Sequence, residues 1–360
     1  MHDHHPAARD APVPPPGVTF VMPVLNEREY LQRAVDTVLA QRLDDPVELI
    51  LALGPSRDGT SELAQRMAED DPRIRLVDNP AADIPVGLNL AIREARHPTI
   101  VRVDAHSELD PDYTARAVAT LARTRAANVG GVMRADGRTP FQRAVARAYN
   151  SRVGLGGGAY HGGGTEGPAE SAYLGVIRRS VLDEVGMFDE TIRRGEDWEL
   201  NLRIRRAGYR VWFDPSLAVT YWPRASWMRL LRQFVATGTW RGELVRRFGR
   251  QNSLRFFAPP ALVLAAVLSA AAAVVQVTGV LPFPWSALVS AVHAPVAVYA
   301  LGVLAFAAFS PAGSLRERGW LAAVVPTMHL AWGVGFLVGL VRGAKDTVDT
   351  SRLDRNTPLP

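Results

Sequence analysis

The sequence predicts an α/β domain followed by an all-α, apolar, transmembrane region. Two features of the 360-residue chain carry this: apolar runs alternate with helical stripes over residues 18–133, and charges that are dense up to about residue 255 nearly vanish beyond it. Alternation of this kind argues for a mostly parallel sheet covered by helices on both faces. The pivotal stretch is Thr99-Ile100-Val101-Arg102-Val103-Asp104-Ala105-His106, a β-type run whose Asp and His emerge at the strand's carboxyl end. Open α/β sheets bind ligands there. Residues two apart on an extended segment face the same way, and both types suit a divalent cation bridging nucleotide phosphates.

Taken in order, Met1 to Gly17 holds Pro and His without apolar periodicity and reads as a disordered tail, with His2, His4 and His5 solvated. It has no continuous apolar core, so it is not a signal peptide, and the globular part is expected on the cytoplasmic side. Val18–Val24 reads as a strand, Leu25-Asn26-Glu27 as a polar loop, and Tyr30, Leu31, Ala34, Val35, Val38 and Leu39 as a helical stripe. A second strand over Val47–Leu53 gives way to the turn Gly54–Thr60, with Thr60 or Ser61 capping the next helix. Ile74–Val77 is a third strand, leading through Pro85 into a helix with Leu88, Ala91 and Ile92. Beyond His106, Asp110-Pro111 forms an N-cap and N1 pair, and Ala127–Met133 another strand.

The run from Gly154 to Gly164, with His161 inside it, is too rich in glycine for regular structure and is either a disordered linker or a mobile lid. Ala172–Arg178 then reads as a strand, Ser180–Val185 as a helix closed by Gly186, and Gly195 opens a helix with Glu196 and Asp197 at its amino end. Val211–Phe213 and Ala218–Tyr221 are the closing strands. From Ser226 to Phe248, Trp227, Leu230, Leu231, Phe234 and Val235 interleave with Arg residues, as in a basic amphipathic helix at a membrane interface. Three runs free of Asp, Glu, Lys and Arg follow, roughly Phe257–Leu281, Trp285–Phe309 and Trp320–Val341, each long enough to span a bilayer. His293 and His329 fall inside them, with packing the plainer role. Arg342 and Lys345, directly after the third run, conflict with three crossings that begin in the cytoplasm.

Composition narrows the chemistry. With no cysteine there is no disulfide, Cys-based zinc site or thiol nucleophile. The net charge of +5 is explained by arginines between Arg224 and Arg255, just before the apolar region, so membrane lipids rather than nucleic acid are the expected partner.

Taken together, Pro23-x-x-Asn26-Glu27, Ser56-Arg57-Asp58-Gly59-Thr60, Asp104-Ala105-His106 and Glu196-Asp197-Trp198, in this order, resemble family 2 glycosyltransferases of the GT-A fold, a Rossmann-like nucleotide-diphospho-sugar transferase domain. The resemblance covers about residues 18–222. Residues 223–255 form the basic interfacial segment, 256–342 the three transmembrane helices and 343–360 a polar tail, as in membrane-bound members that build cell-envelope or exopolysaccharide glycans. Among these the chain is similar to the succinoglycan-type glucosyltransferase branch, which carries Asp-Ala-His where many relatives have Asp-x-Asp. The resemblance implies that Pro23, Asn26 and Glu27 line the nucleoside pocket, with Ser56, Asp58 and Asp104 also binding the nucleotide. It further implies that Asp104 and His106 hold Mg²⁺ or Mn²⁺, that Asp197 is the general base of an inverting displacement, and that Glu196 holds the acceptor or tunes its neighbour. His161 and Arg224 are candidate lid or diphosphate contacts.

Two departures bear on the donor. Leu53-Gly54-Pro55-Ser56 stands where many relatives have Asp-Asp-Gly-Ser, so a UDP-sugar is preferred while GDP and TDP stay open; and Tyr221-Trp222-Pro223-Arg224 lacks the His that some relatives use. The acceptor implied is a lipid-linked or growing polysaccharide, and the oligomeric state is not legible. A nucleotidyltransferase on the same fold and a non-catalytic sugar-nucleotide-binding membrane scaffold are the alternatives.

Overall fold

The computed structural model describes residues 9–12, 16–155, 164–279, 284–311 and 313–344. The chain divides into two compact units, Met1–Ala135 with Gly157–Trp222, and Asp136–Gly156 with Pro223–Leu359. Residues 136–156, which the sequence reading leaves inside 18–222, thus group with the C-terminal segment.

The first unit is built on one mixed sheet. Its strands, among the described residues, are β1 (Val18–Val24), β2 (Val47–Leu53), β3 (Ile74–Asp78), β4 (Thr99–Arg102), β5 (Ser107–Leu109), β6 (Asn128–Ala135), β7 (Gly167–Pro168), β8 (Val176–Arg178) and β9 (Val211–Tyr221). They run in the order β3-β2-β1-β4-β8-β6-β9-β5, with β7 added on β9. The β3-β2-β1-β4 half is parallel. Beyond it short antiparallel pairs interrupt the expected parallel pattern: β8 pairs antiparallel with both β4 and β6, and β5 and β7 with β9, while β6 and β9 remain parallel. The chain moves outward from β1 to β3 and then returns to the other side of β1 with β4. That reversal opens a crevice at the carboxyl ends of β1 and β4, the usual ligand position in such sheets.

Apolar residues cover both faces of the sheet. On one face Phe20, Met22, Leu49, Leu51 and Val101 meet Leu31, Val35, Val38, Ala64, Ala117 and Leu121 from three helices. On the other, Val21, Ile50 and Ile100 meet Leu88, Ile92, Val181, Leu182, Leu200 and Ile204. Strands buried on both faces explain why the first, second and fourth runs are largely apolar rather than alternating, with Thr19, Glu48 and Arg102 as buried exceptions.

Several local expectations are corrected. Residues 9–12 are packed, not disordered: Ala11 is fully buried, Arg9 N–H bonds Gly208 O at 2.8 Å, and Arg178 Nη1 donates to Pro12 O at 2.5 Å. Residues 1–8, with His2, His4 and His5, lie outside the described residues. Helix Thr60–Asp70 starts from Gly59 in the left-handed region, so neither Thr60 nor Ser61 caps it. Helix Tyr113–Thr124 has Asp112 before it, two residues past the predicted Asp110-Pro111 start. The two closing strands are one, β9. Gly154 and Leu155 complete a short helix, Arg152–Leu155, while 156–163, with His161, lie outside the described residues.

In the second unit, helix Pro140–Tyr149 begins with a capping box, Thr139 accepting from Gln142 N–H while the Gln142 side chain reaches back. Helix Trp227–Phe248, expected at a membrane interface, buries Leu230, Phe234, Trp240, Leu244 and Val245 in the protein. It runs parallel to helix Leu315–Arg342 across a seam of glycines. A Cβ on Gly238 would overlap the Trp332 carbonyl, on Gly242 that of Phe336, on Gly335 that of Val235, and on Gly339 that of Thr239. Small residues at i and i+4 on both helices let the backbones touch. Three helices, Leu254–Val277, Ala287–Phe309 and Leu315–Arg342, are long and apolar enough to cross a membrane.

The seam gives a direct test. Gly339→Ala forces a methyl into backbone and is expected to cost about 1–3 kcal/mol, lowering the thermal midpoint of the detergent-solubilised protein. Gly302→Ala, in a helix where nothing lies within 4 Å of the added carbon, is the matched control and should not lower it.

Candidate active site

The crevice at β1 and β4 is lined by two linked sets of side chains. The first joins the loops after β1 and β2. Asn26 adopts φ +53°, a left-handed conformation that Asn tolerates, and turns the chain sharply after the strand. Its backbone N–H donates to Ser56 Oγ (3.0 Å) and its Oδ1 accepts from Arg57 N–H (2.9 Å). Glu27 N–H donates to Thr60 Oγ1 (2.9 Å), and Asp58 accepts from Arg28 N–H (3.2 Å) and Thr60 N–H (3.0 Å). Asn26, Glu27, Ser56 and Asp58, all expected at the nucleotide, are therefore brought together. Their hydrogen bonds shape the rim of the crevice. Pro23 stands in β1 itself.

The second set is organised by a residue the sequence reading did not single out. Arg102, the last residue of β4, has only 6% of its side chain exposed. Its Nη1 lies 2.9 Å from Glu196 Oε1 and also bonds Asp197 Oδ1, while Nη2 reaches Asp104 Oδ1 at 3.4 Å. The guanidinium carbon sits 5.9 Å over the Phe188 ring. Asp104, Glu196 and Asp197, assigned separately from distant motifs, thus converge on one buried cation. The available signal was a charge inside a run destined for burial, since buried arginines are nearly always paired.

Glu196 and Asp197 open helix Glu196–Arg206 behind Gly195, whose φ of +81° suits glycine. The turn before it is fixed from two directions. Asn89 exchanges two bonds with the Phe188 backbone (2.9 and 3.0 Å), and Arg203, paired with Glu199, donates to the carbonyls of Val185, Gly186 and Met187. Burial pushes the Asp197 carboxyl up, Arg102 pulls it down, and Glu196 and Asp104 push it up again; the net lies above the ordinary carboxylate range. A quarter of the side chain (26%) still meets solvent, as a group that exchanges protons with a ligand requires. Burial beside Asp104 and Tyr221 keeps the Tyr173 hydroxyl protonated, its pKa pushed well up.

His106 is buried, edge-on to Tyr221 (5.4 Å between ring centres), with Nδ1 3.5 Å from Glu27 Oε1. A carboxylate facing one ring nitrogen is the usual way to orient an imidazole whose other nitrogen binds a metal. Among the described residues no three His, Asp or Glu side chains gather into a closed cage. Mg²⁺ and Mn²⁺ do not need one when substrate phosphates complete the shell. The donor set Asp104 and His106 therefore fits such an ion in the company of a diphosphate. Arg224 belongs to the second unit.

Removing the hub should be costly. Arg102→Ala leaves three carboxylates crowded without their cation and is expected to lower the stability of the protein by about 3–5 kcal/mol, read by denaturant or thermal unfolding. Arg102→Lys, which keeps the charge but loses the planar fork, should lie between. Wild-type unfolding of the alanine variant would remove the organising role.

Comparison with known proteins agrees with this geometry. Residues 19–186 match the family described as Glycosyl transferase family 2. The chain is 32% identical over 320 residues to Succinoglycan biosynthesis protein ExoA of Rhizobium meliloti (strain 1021), covering 88% of this chain and 93% of the relative. It is 22% identical over 250 residues to a dolichyl N-acetyl-alpha-D-glucosaminyl phosphate 3-beta-D-2,3-diacetamido-2,3-dideoxy-beta-D-glucuronosyltransferase of Methanococcus voltae, covering 67% of this chain and 77% of that protein. In fold it is similar to the mannosyltransferase PcManGT from Pyrobaculum calidifontis, solved in complex with GDP-Man and Mn²⁺. The TM-score is 0.58 at 20% identity, covering 93% of this chain and 90% of that one. With a sheet of GT-A type and a relative of this identity matched along nearly its whole length, the chain belongs to glycosyltransferase family 2.

Proposed function

We propose that this glycosyltransferase is inverting and metal-dependent, and moves a sugar from a nucleotide-diphosphate sugar to a hydroxyl of a lipid-linked or growing cell-envelope or exopolysaccharide glycan at the cytoplasmic membrane face. The observation that carries the reading is the Arg102 cluster, which holds Asp104 and Asp197 on one cation at the mouth of the crevice. One carboxylate belongs to the donor side and the other to the acceptor side.

The donor's nucleoside enters between the loops after β1 and β2, bounded by Pro23, Asn26, Glu27, Ser56 and Asp58. Asp104 and His106 would hold a divalent ion against the diphosphate. That ion, when bound, neutralises the charge that develops on the leaving group. Asp197 takes the proton of the acceptor hydroxyl as its oxygen attacks the anomeric carbon. The bond from that carbon to the diphosphate oxygen breaks on the opposite face, so the anomeric configuration inverts. Its raised proton affinity suits it to this task near neutral pH. Glu196 and Arg102 keep the carboxylate aimed. A lipid-linked acceptor is supported by the apolar C-terminal helices and by the Methanococcus relative, whose name gives a dolichyl N-acetyl-alpha-D-glucosaminyl phosphate acceptor. A polysaccharide product is supported by the Rhizobium relative, whose name places it in succinoglycan biosynthesis. A UDP-sugar is the first donor to try.

Membranes containing the protein, supplied with a panel of labelled UDP-, GDP- and TDP-sugars and extracted lipid acceptors, should transfer label from one donor with inversion. Asp197→Asn is expected to reduce transfer by about 10²–10⁴-fold with nucleotide affinity nearly unchanged; near-normal turnover would displace it as the base. Asp104→Ala should abolish the Mn²⁺-stimulated part of nucleotide binding in a titration without acceptor. Unaltered stimulation would take Asp104 out of the metal site. Nucleotide binding without transfer or donor hydrolysis from any donor would favour a scaffold.

A further inference from the structure

We propose that the chain crosses the bilayer twice, not three times. Helices Leu254–Val277 and Ala287–Phe309 form a spanning hairpin, and helix Leu315–Arg342 lies in the membrane surface beside Trp227–Phe248, meeting lipid along Leu330, Val334, Val338 and Val341.

Four observations within the second unit carry this. The first is burial. In the most apolar stretch of Leu315–Arg342, 44% of residues are buried in the protein, against 17% and 11% in the other two helices. Its exposed large apolar residues beyond the first turn, Leu330, Val334, Val338 and Val341, fall on a single stripe, whereas Leu264, Val267, Leu268, Val274 and Val277 cover about half the circumference of the first helix. Leu315–Arg342 therefore commits much of its surface to protein.

The second is what lies alongside. The glycine seam sets Val235 and Thr239 level with Gly335, Gly242 with Phe336, and Arg246 with Gly343. The same parallel register carries Arg229 and Arg232 beside the middle of Leu315–Arg342. Arg143, from helix Pro140–Tyr149, pairs with Glu317 at 2.6 Å near its start. Were the helix to cross, Arg229 and Arg232 would be drawn into the hydrocarbon with it, where charges are strongly disfavoured, whereas the Arg143–Glu317 pair marks the end that stays at the surface.

The third is where the hairpin touches. Contacts from the first apolar helix come from its amino end: Phe256 stacks near Trp332, Phe257 meets Phe336, and a Cβ on Gly333 would press on Pro259 O and Val263. From the second they come from its later part, where Tyr299 bonds His329 (2.8 Å) and Arg318 donates to Ala308 O (2.6 Å). Thus Leu315–Arg342 packs on the half of the hairpin that holds its two ends, from Phe256 to Val263 and from Tyr299 to Ala308. The remainder is held by its own polar links, His293 to Ser269 (2.7 Å) and Gln276 (3.1 Å), and Gln276 to Ser290 (2.9 Å).

The fourth is charge. Two crossings put the arginines of 224–255, Arg316, Arg318, Arg342 and Lys345 all on one side and leave the uncharged 278–286 connection on the other. This satisfies the positive-inside rule, which three crossings violate.

The absence of cysteine makes the test direct. Glu69→Cys, Thr278→Cys and Ser351→Cys, made one at a time in the full chain, are treated in sealed cells and in inverted vesicles with a membrane-impermeant maleimide. Labelling of 351 from the same side as 69, with 278 from the opposite side, is the expected result. Labelling of 351 together with 278 would overturn the proposal, as would labelling of all three from one side. No sugar transfer is read, so the outcome stands apart from the assignment of donor, acceptor or base.

Discussion

A guanidinium buried at the end of a central strand has to be neutralised where it sits, and most of the site follows from how Arg102 is neutralised. Asp104 is supplied by the chain two residues further on; Glu196 and Asp197 are supplied by a helix almost a hundred residues away. For the pairing to form, the helix must start at the carboxyl edge of the sheet with its first turn facing β4. The turn before it is accordingly held by Asn89 from one neighbour and Arg203 from the helix itself. Burial first, and then the neighbouring carboxylates of Glu196 and Asp104, outweigh the pull of Arg102, so Asp197 holds protons more tightly than an ordinary carboxylate. Three acids around one base also suit the neighbourhood of a divalent cation.

The side of the crevice formed by the loops after β1 and β2 is organised differently. Ser56, Asp58 and Asn26 use their side chains on one another's backbones, locking two adjacent loops into one rim. Preformed loops of this kind lower the ordering cost of binding. The backbone as well as the side chains then presents the binding surface, and a short sequence such as Leu53-Gly54-Pro55 can replace an acidic motif without dismantling the rim.

The second unit rests on a separate constraint, the close approach of two helical backbones. Gly238, Gly242, Gly335 and Gly339 remove the Cβ atoms that would otherwise strike the partner backbone. The apolar residues of Trp227–Phe248 are thereby committed to protein, and much of the surface that Leu315–Arg342 would otherwise offer to lipid is covered.

Much of the first unit was legible along the chain. Val18–Val24, Val47–Leu53 and Thr99–Arg102 are apolar runs because both faces of a parallel strand are buried, and that property is local. The motif residues Asn26, Asp104, His106 and Asp197 could be chosen because each stands at a strand end or helix start that the same patterns mark. The short β5, the antiparallel insertion of β8 and the packing of residues 9–12 were not legible, since each depends on pairing with a distant segment. The sequence alone determined the elements, the order of the motifs and the apolarity of the last third, all properties of neighbours in the chain. Only the tertiary structure decided that Arg102 gathers the acids, and that one apolar helix spends its surface on protein. Charge pairing and close packing are settled by which segments meet in space, and periodicity carries no record of that.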